Sequence, residues 1–217
     1  LLGGQGAPLV PIGDLLLFPD YNACLNLGGF ANGSMSKNGD VIAYDICAVN
    51  TVMNSLAEKK GMPFDTGGEL AKNGKFIPEL FSDLGALKFY KIDSPKSLGI
   101  EWVNSIIFPL LAKFNDHKVE NILHTYARHI SFEISRNFSE NQHVLVTGGG
   151  AKNLFLMSLL KTDCLATLFL PQEKLIDFKE ALIFGFLGVL RIRNEVNCLA
   201  SVTGASKDHS SGNIFYS

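Results

Sequence analysis

The chain has 217 residues, 47% hydrophobic and 18% charged, a composition that predicts a well-packed globular core in one large domain or two small ones. Its formal charge of -2, with Lys and Arg dispersed along the chain, gives no field to attract a polyanion and argues against nucleic acid as a partner. The longest apolar run, 181–190, follows Asp177, Lys179 and Glu180 and is shorter than the roughly 20 residues a membrane span needs, so it reads as a core helix and not a membrane anchor.

No basic stretch followed by an apolar one opens the chain, so no signal peptide is expected. Residue 1 is Leu, and 3–8 reads as a loop already under way, as though the chain begins inside something larger. Residues 22–27 suit a strand. After Gly28-Gly29 a second run, 30–36, leads to Asn38-Gly39, the strongest short hairpin signal, and 40–44 returns. Three short strands in succession predict an antiparallel meander at one edge of a sheet.

Val49, Val52, Met53, Leu56 and Ala57 then form a helical stripe, with Gly61 where a left-handed C-cap belongs. Residues 67–99 are mixed and polar around a short helix near 77–87. Ser94-Pro95-Lys96-Ser97 forces an extended or turned backbone before a helix over 101–114, where the lone Trp102 reads as packing. The clearest long helix covers 119–138, because Ile122, Leu123, Tyr126, Ala127, Ile130, Ile134 and Phe138 recur at three and four residues. A strand at 143–146 ends in Thr147-Gly148-Gly149-Gly150. A helix over 153–160, a strand over 165–170 and an apolar helix over 177–193 follow, and the Ser- and Gly-rich 201–217 reads as surface loop. The fold class is α/β: one domain, meander first, strand-helix units after.

The four cysteines, Cys24, Cys47, Cys164 and Cys198, lie far apart, with no CxxC pair and no histidine at ligand spacing, so they read as free thiols of a cytoplasmic protein and predict no metal site. The five histidines are scattered and read as core or surface residues.

Two glycine clusters carry the chemistry. Gly28-Gly29, with Asn26 and Asn32 beside it, could bring backbone N–H groups close to an anion; it could also be an ordinary hairpin turn. Gly148-Gly149-Gly150, where a strand meets a helix, lets a flat ring lie on the backbone while the helix N-terminus faces a phosphate. The start of a dinucleotide fingerprint is present there, but Asn153 stands at its third glycine and no acidic residue closes the next strand, which argues against an oxidoreductase. Asp45, at the end of the third strand, is either a crevice carboxylate or a turn or helix cap. Glu180, one turn into an apolar helix, is either a ligand or a first-turn acid favoured by the helix dipole.

The blocks Gly3-Gly4-Gln5-Gly6-Ala7-Pro8-Leu9-Val10-Pro11, Asn26-Leu27-Gly28-Gly29-Phe30-Ala31-Asn32, Pro95-Lys96-Ser97 and Gly148-Gly149-Gly150-Ala151-Lys152-Asn153 resemble, in order and spacing, the anhydro-N-acetylmuramic acid kinases. Residues 177–181 and 202–205 continue the likeness over nearly the whole chain. The resemblance implies an actin-like, ribonuclease H-like ATPase domain. It also implies a peptidoglycan-recycling enzyme that opens a 1,6-anhydro sugar with water while moving the γ-phosphate of ATP to O6, using Mg²⁺. By that likeness the nucleotide is bound by Gly28, Gly29, Asn32, Gly148, Gly149, Gly150 and Asn153. The sugar is bound by Gly4, Gln5, Asp45, Asn50 and Glu180.

The same resemblance divides the chain into a leading segment, 1–21, that continues from an absent first lobe, a core over 22–200 and a tail over 201–217. It puts the catalytic aspartate upstream of Leu1, leaves the chain inactive alone and allows a homodimer. One stretch departs from the family: Ile46-Cys47-Ala48-Val49 stands where glycine-rich residues are usual, so a non-catalytic sugar- or nucleotide-binding homologue is a second reading.

Overall fold

The computed structural model describes residues 2–4, 6–37, 40–93 and 96–215. The Asn38-Gly39 turn, Pro95 and Gln5 lie outside the described residues. Strict alternation in β1 (Ala23–Leu27) sends Ala23, Leu25 and Leu27 to one side of the sheet and Cys24 and Asn26 to the other. It pairs antiparallel with β2 (Phe30–Lys37), which pairs antiparallel with β3 (Asp40–Ala48), giving the predicted meander. On its other edge β1 pairs in parallel with β4 (His143–Thr147), and β4 with β5 (Thr167–Phe169), in the order β3-β2-β1-β4-β5.

The third strand runs on past Tyr44, where it was expected to stop, to Ala48. The register shifts between Ala31, opposite Cys47, and Asn32, opposite Asp45, so a bulge takes up Ile46 and the ladder continues. Asp45 is therefore an interior strand residue, neither at the strand's end nor a helix cap.

In chain order the helices are α1 (Val10–Leu17), α2 (Asn50–Glu58), α3 (Glu69–Lys72), α4 (Pro78–Gly85), α5 (Ile100–Trp102), α6 (Phe108–Ala112), α7 (Val119–Ser135), α8 (Leu154–Asp163), α9 (Glu173–Ile192) and α10 (Ala200–Thr203). A π turn, Val103–Ile107, joins α5 to α6, whose second residue is Pro109, with no N–H to continue the regular ladder. Trp102 packs against Phe89 and Tyr90, as a structural residue would.

Two layers of helix enclose the sheet. On the Leu25 side, Leu25, Leu27, Val144 and Val146 meet Val52 and Leu56 of α2 and Leu123, Tyr126 and Ile130 of α7 in the main core. Each such side chain, fully buried, contributes about 1.5–3 kcal/mol. Tyr126 is sealed among them, and its hydroxyl donates to the Ala48 carbonyl at 3.0 Å. On the Cys24 side α1 meets α9 through a much smaller cluster, Ile12 with Ile183, Leu187 and Leu190.

The expectation that α9 is a core helix holds for one stripe alone. Ile183, Leu187 and Leu190 are buried, whereas Phe178, Leu182, Phe184, Val189 and Ile192 are exposed. Nor is the tail a surface loop throughout. Cys198 and His209 exchange backbone hydrogen bonds at 3.0 and 3.1 Å, Thr203 is buried in α10, and Ser206 donates to the Leu2 carbonyl at 2.9 Å. All four cysteines are free and buried. Among the described residues no helix is long and apolar enough to cross a membrane, and no cluster of side chains could hold a metal by itself.

Candidate active site

The first glycine pair is bonded into the start of α2. Gly29 accepts at its carbonyl from Val49 N at 2.8 Å and Thr51 N at 3.2 Å, and Gly28 accepts from Asn50 N at 3.2 Å. A Cβ on Gly29 would lie 2.7 Å from Thr51 Oγ1, so a larger residue there would need that hydroxyl to turn aside.

The second cluster meets the first directly. Gly148 has φ +85, and a Cβ there would lie 2.6 Å from Asn26 Oδ1 and 2.8 Å from the Leu27 carbonyl. A Cβ on Gly150 would stand 2.8 Å from Leu27 Cβ. Asn50 locks the contact by donating from Nδ2 to the Leu27 carbonyl at 3.2 Å. Gly149 is different: the nearest atom to a Cβ there is Asn50 Nδ2, at 3.8 Å, which leaves its face open.

Beside this junction opens a cleft of about 410 Å³, walled by Asn50, Met53 and Asn54 of α2, by Phe64 and the 65–67 loop, and by Gly149, Lys152 and Asn153. Asn50, expected beside the sugar, thus lines the cleft next to Gly149. Asn153 serves as N-cap of α8, its Oδ1 accepting from Leu156 N at 2.9 Å. Lys152 is held by α9, 2.7 Å from Asp177 and 3.2 Å from Glu173, and the two acids raise its pKa.

Phe64, Met53, Asn54 and Lys152 were not expected at a site: Met53 read as a core position of its helix and Lys152 only as part of the glycine-rich block. The Asp65-Thr66-Gly67-Gly68 run was the available signal. Asp65 is buried and accepts from Leu70 N at 2.8 Å and Ala71 N at 2.9 Å, capping α3. Gly67 and Gly68 take φ +65 and +78, and a Cβ on Gly68 would overlap Asn153 Oδ1.

On the other side of the sheet a polar row crosses four strands. Asn26 is paired with Thr147 on β4 and Asn32 on β2, and Asn32 with Asp45 on β3, so the four side chains share one face. Thr147 is wholly buried, and among the described residues its hydroxyl has no partner. Asp45 Oδ2 accepts from Leu98 N at 2.8 Å and Ser97 Oγ at 3.1 Å, which ties down the 96–98 loop. Asn26 was legible in the sequence as a neighbour of the glycine turn and Thr147 was not read as a site residue; only the register shows that both adjoin Asn32 and Asp45.

Gly4 lies against the tail, where a Cβ would be 2.9 Å from Ala205. The helix carrying Glu180 starts at Glu173, four residues earlier than expected. Glu180 is therefore about two turns in and not a first-turn acid, and it is exposed, without an ion-pair or hydrogen-bond partner among the described residues. The buried neighbour is Lys179, which sequence reading passed over. The residues of the Ile46–Val49 departure are buried in the main core. Burial pushes the Cys47 thiol far above its ordinary pKa, so it stays neutral.

Two solved structures resemble this chain in fold. One is component A of the (R)-2-hydroxyglutaryl-CoA dehydratase of Acidaminococcus fermentans, with a TM-score of 0.50 and 16% identity over 80% of this chain and 63% of that one. The other is the activator of the 2-hydroxyisocaproyl-CoA dehydratase from Clostridium difficile, solved with bound ADPNP, at 0.50 and 15% over 84% and 66%. The fold is that of actin-like ATPases.

Sequence relatives are more specific. The anhydro-N-acetylmuramic acid kinase of Pasteurella multocida is 34% identical over 233 residues, covering 98% of this chain and 60% of the relative. A namesake from Bacillus cereus is 29% identical over 235 residues, covering 99% and 62%. The chain therefore spans about three fifths of the length of these relatives. The family model described as Anhydro-N-acetylmuramic acid kinase matches residues 1–217. With its glycine junction, cleft and sheet order in place, this chain belongs to the anhydro-N-acetylmuramic acid kinase family.

Proposed function

We propose that the full-length protein is an ATP-dependent kinase that converts 1,6-anhydro-N-acetylmuramate to N-acetylmuramate 6-phosphate in peptidoglycan recycling, in the cytoplasm and as a homodimer. Water adds at C1, the bond from C1 to O6 breaks, and O6 takes the γ-phosphate, leaving ADP and one proton. The observation that carries this reading is the meeting of Gly28-Gly29 with Gly148-Gly149-Gly150 across Leu27 and Asn50, beside a cleft of about 410 Å³. A nucleoside suits that volume, and the open face of Gly149 offers a flat surface to a ring.

In this reading Gly149, Asn50 and Phe64 border the base and ribose. Gly28 and Gly29 stand at the phosphates with Asn32, while Gly148 and Gly150 hold the loop shape and Asn153 fixes the start of α8. Gly4, Gln5, Asp45 and Glu180 belong to the sugar half, with Asp45 positioning the 96–98 loop as well. The general base is not assigned to any residue of this chain.

The donor set suits Mg²⁺ held chiefly by the nucleotide. Asn26, Asn32 and Thr147 would offer neutral oxygens to an ion whose other ligands are waters and nucleotide phosphates, so no all-protein cage is needed. When bound, the ion neutralises charge on the phosphoryl group in transfer.

The Ile46–Val49 side chains point into the core, so their departure from the family pattern adds no bulk to the site. This favours turnover over a binding-only homologue. The test is an assay of the full-length protein with ATP, Mg²⁺ and the anhydro-sugar. ADP and sugar 6-phosphate in equal amounts are expected. Thermal stabilisation by both ligands with no product would instead mark a binding protein, and stabilisation by NAD(H) but not ATP would overturn the kinase reading altogether.

A further inference from the structure

A charged pair lies buried where α1 crosses α9. Lys179 Nζ is 2.7 Å from Asp14 Oδ1, and the two residues are 5% and 7% exposed. The second carboxylate oxygen accepts from Ser34 Oγ of β2 at 2.6 Å. Nothing in the proposed chemistry uses these groups, yet their surroundings are specific. Gly13 lets α1 approach so closely that a Cβ there would overlap the Ile183 side chain. Cys24 faces Asp14 from β1, and its thiol, pushed up to about 12 by burial and by that carboxylate, adds no charge.

Taking two charges out of water is costly, and apolar residues of similar size would be as stabilising or more so. What the ion pair supplies and apolar contacts do not is a single geometry. The apolar part of this interface is small, with Ile12, Ile183, Leu187 and Leu190 at its centre and half-buried neighbours such as Val10 and Phe186 around them, so the ion pair adds a directional contact to a short apolar seam.

The location gives that geometry a consequence. Ser34 and Cys24 are one pleat along β2 and β1 from Asn32 and Asn26, on the same side of the sheet. The pair is thus next to the polar row. Ahead of α1, the segment from Leu2 is tied at its far end by Ser206 N to the Leu2 carbonyl, 2.9 Å, and by Gly4 against Ala205. That segment hangs between two anchors, one of them Asp14.

We infer that Asp14, Lys179 and Ser34 are positioning residues for the sugar: they fix α1, and with it the Gly4 loop, against the polar row. The inference rests on the reading of that loop as part of the sugar half. It is tested in the full-length protein with the triple variant Asp14→Leu/Lys179→Met/Ser34→Ala, which removes the charges and the hydroxyl together and leaves no buried charge unpaired.

The expected result is a thermal midpoint close to that of the unaltered protein, an unchanged KM for ATP and a KM for the anhydro-sugar raised about tenfold or more. A merely structural role would lower the midpoint or move both KM values alike, and that outcome overturns the inference, as does an unchanged sugar KM. If the triple variant does not fold, Ser34→Ala alone, which keeps the ion pair but frees one carboxylate oxygen, is expected to raise the sugar KM about twofold and leave the ATP KM unchanged. Equal values there overturn the inference as well. Should the unaltered protein fail to phosphorylate the sugar, the kinase reading falls and takes this one with it. Turnover by the unaltered protein with no KM split in the variants sinks the positioning role alone.

Discussion

The two sides of the sheet are built on different physics. The side covered by α2 and α7 is closed by a broad apolar core and carries the cleft proposed for the nucleoside. The side covered by α1 and α9 has a small apolar cluster, a buried ion pair and the polar row of Asn26, Asn32, Asp45 and Thr147. Hydrophobic contact is non-directional, so it can seal a core but does not aim a side chain. Buried polar groups act the other way, since each must find a partner at a set distance and angle. The apolar half thus offers a shaped surface, and the polar half an oriented one.

This division is most open to disproof at the glycine junction that joins the halves. Gly148→Ala would strain a backbone at φ +85 and press a methyl group into the Leu27 carbonyl. A loss on the order of 3 kcal/mol is expected, as for strain combined with overpacking. It would show as a fall in the denaturation midpoint together with lost nucleotide binding. A variant as stable as the parent would mean that the two halves are not joined there.

A second test asks how dry the apolar half is. His129 is fully buried among Phe81, Tyr90 and Tyr126, has no hydrogen-bond partner among the described residues, and its pKa is lowered by burial to about 3. The folded protein binds that proton less readily than the unfolded chain. Its contribution is therefore intact above the ordinary value of 6.5 and is lost as pH falls from there toward 3, by up to about 1.4 kcal/mol per unit. Burial raises the pKa of Glu133, which works in the opposite sense as pH falls through its folded value. His129→Gln should flatten the decline of stability between pH 6.5 and 5, and denaturant midpoints across that range would reveal it. An unaltered slope would indicate water beside the ring.

The smallest expected effect lies on the cleft wall. Phe64 is 53% exposed there, so truncating it costs the fold little. Phe64→Ala in the full-length protein should weaken ATP about tenfold, or ~1.4 kcal/mol, and leave the sugar KM alone. Equal loss for both ligands would show that the two halves do not divide the substrates.

Much of the architecture could be read along the chain. The meander, the stripe over Val52, Met53 and Leu56, and the helix through Ile122, Tyr126 and Ile130 follow from periodicities that a strand or a helix imposes on any sequence. Both glycine clusters were visible too, because residues without Cβ are conspicuous wherever strands turn. Reading failed where a residue's meaning came from across the sheet. Asp45 seemed to end its strand because a bulge cannot be foreseen from one strand alone. Glu180 drew attention while Lys179, one position earlier, took the buried place, since the phase of α9 is set by Ile183 and α1 and not by its own apolar run.

Residue order alone was enough to say which segments are strands and helices, where the backbone is bare of side chains, and which family the chain resembles. Those properties are local or additive along the chain. Folding was needed to bring Asn26 beside Gly148, to make Phe64 wall a cleft with Gly149, and to bury Asp14 and Lys179, far apart in sequence, together as a charged pair. Strand register and helix phase are relations between segments, and they come into being when the layers close on one another.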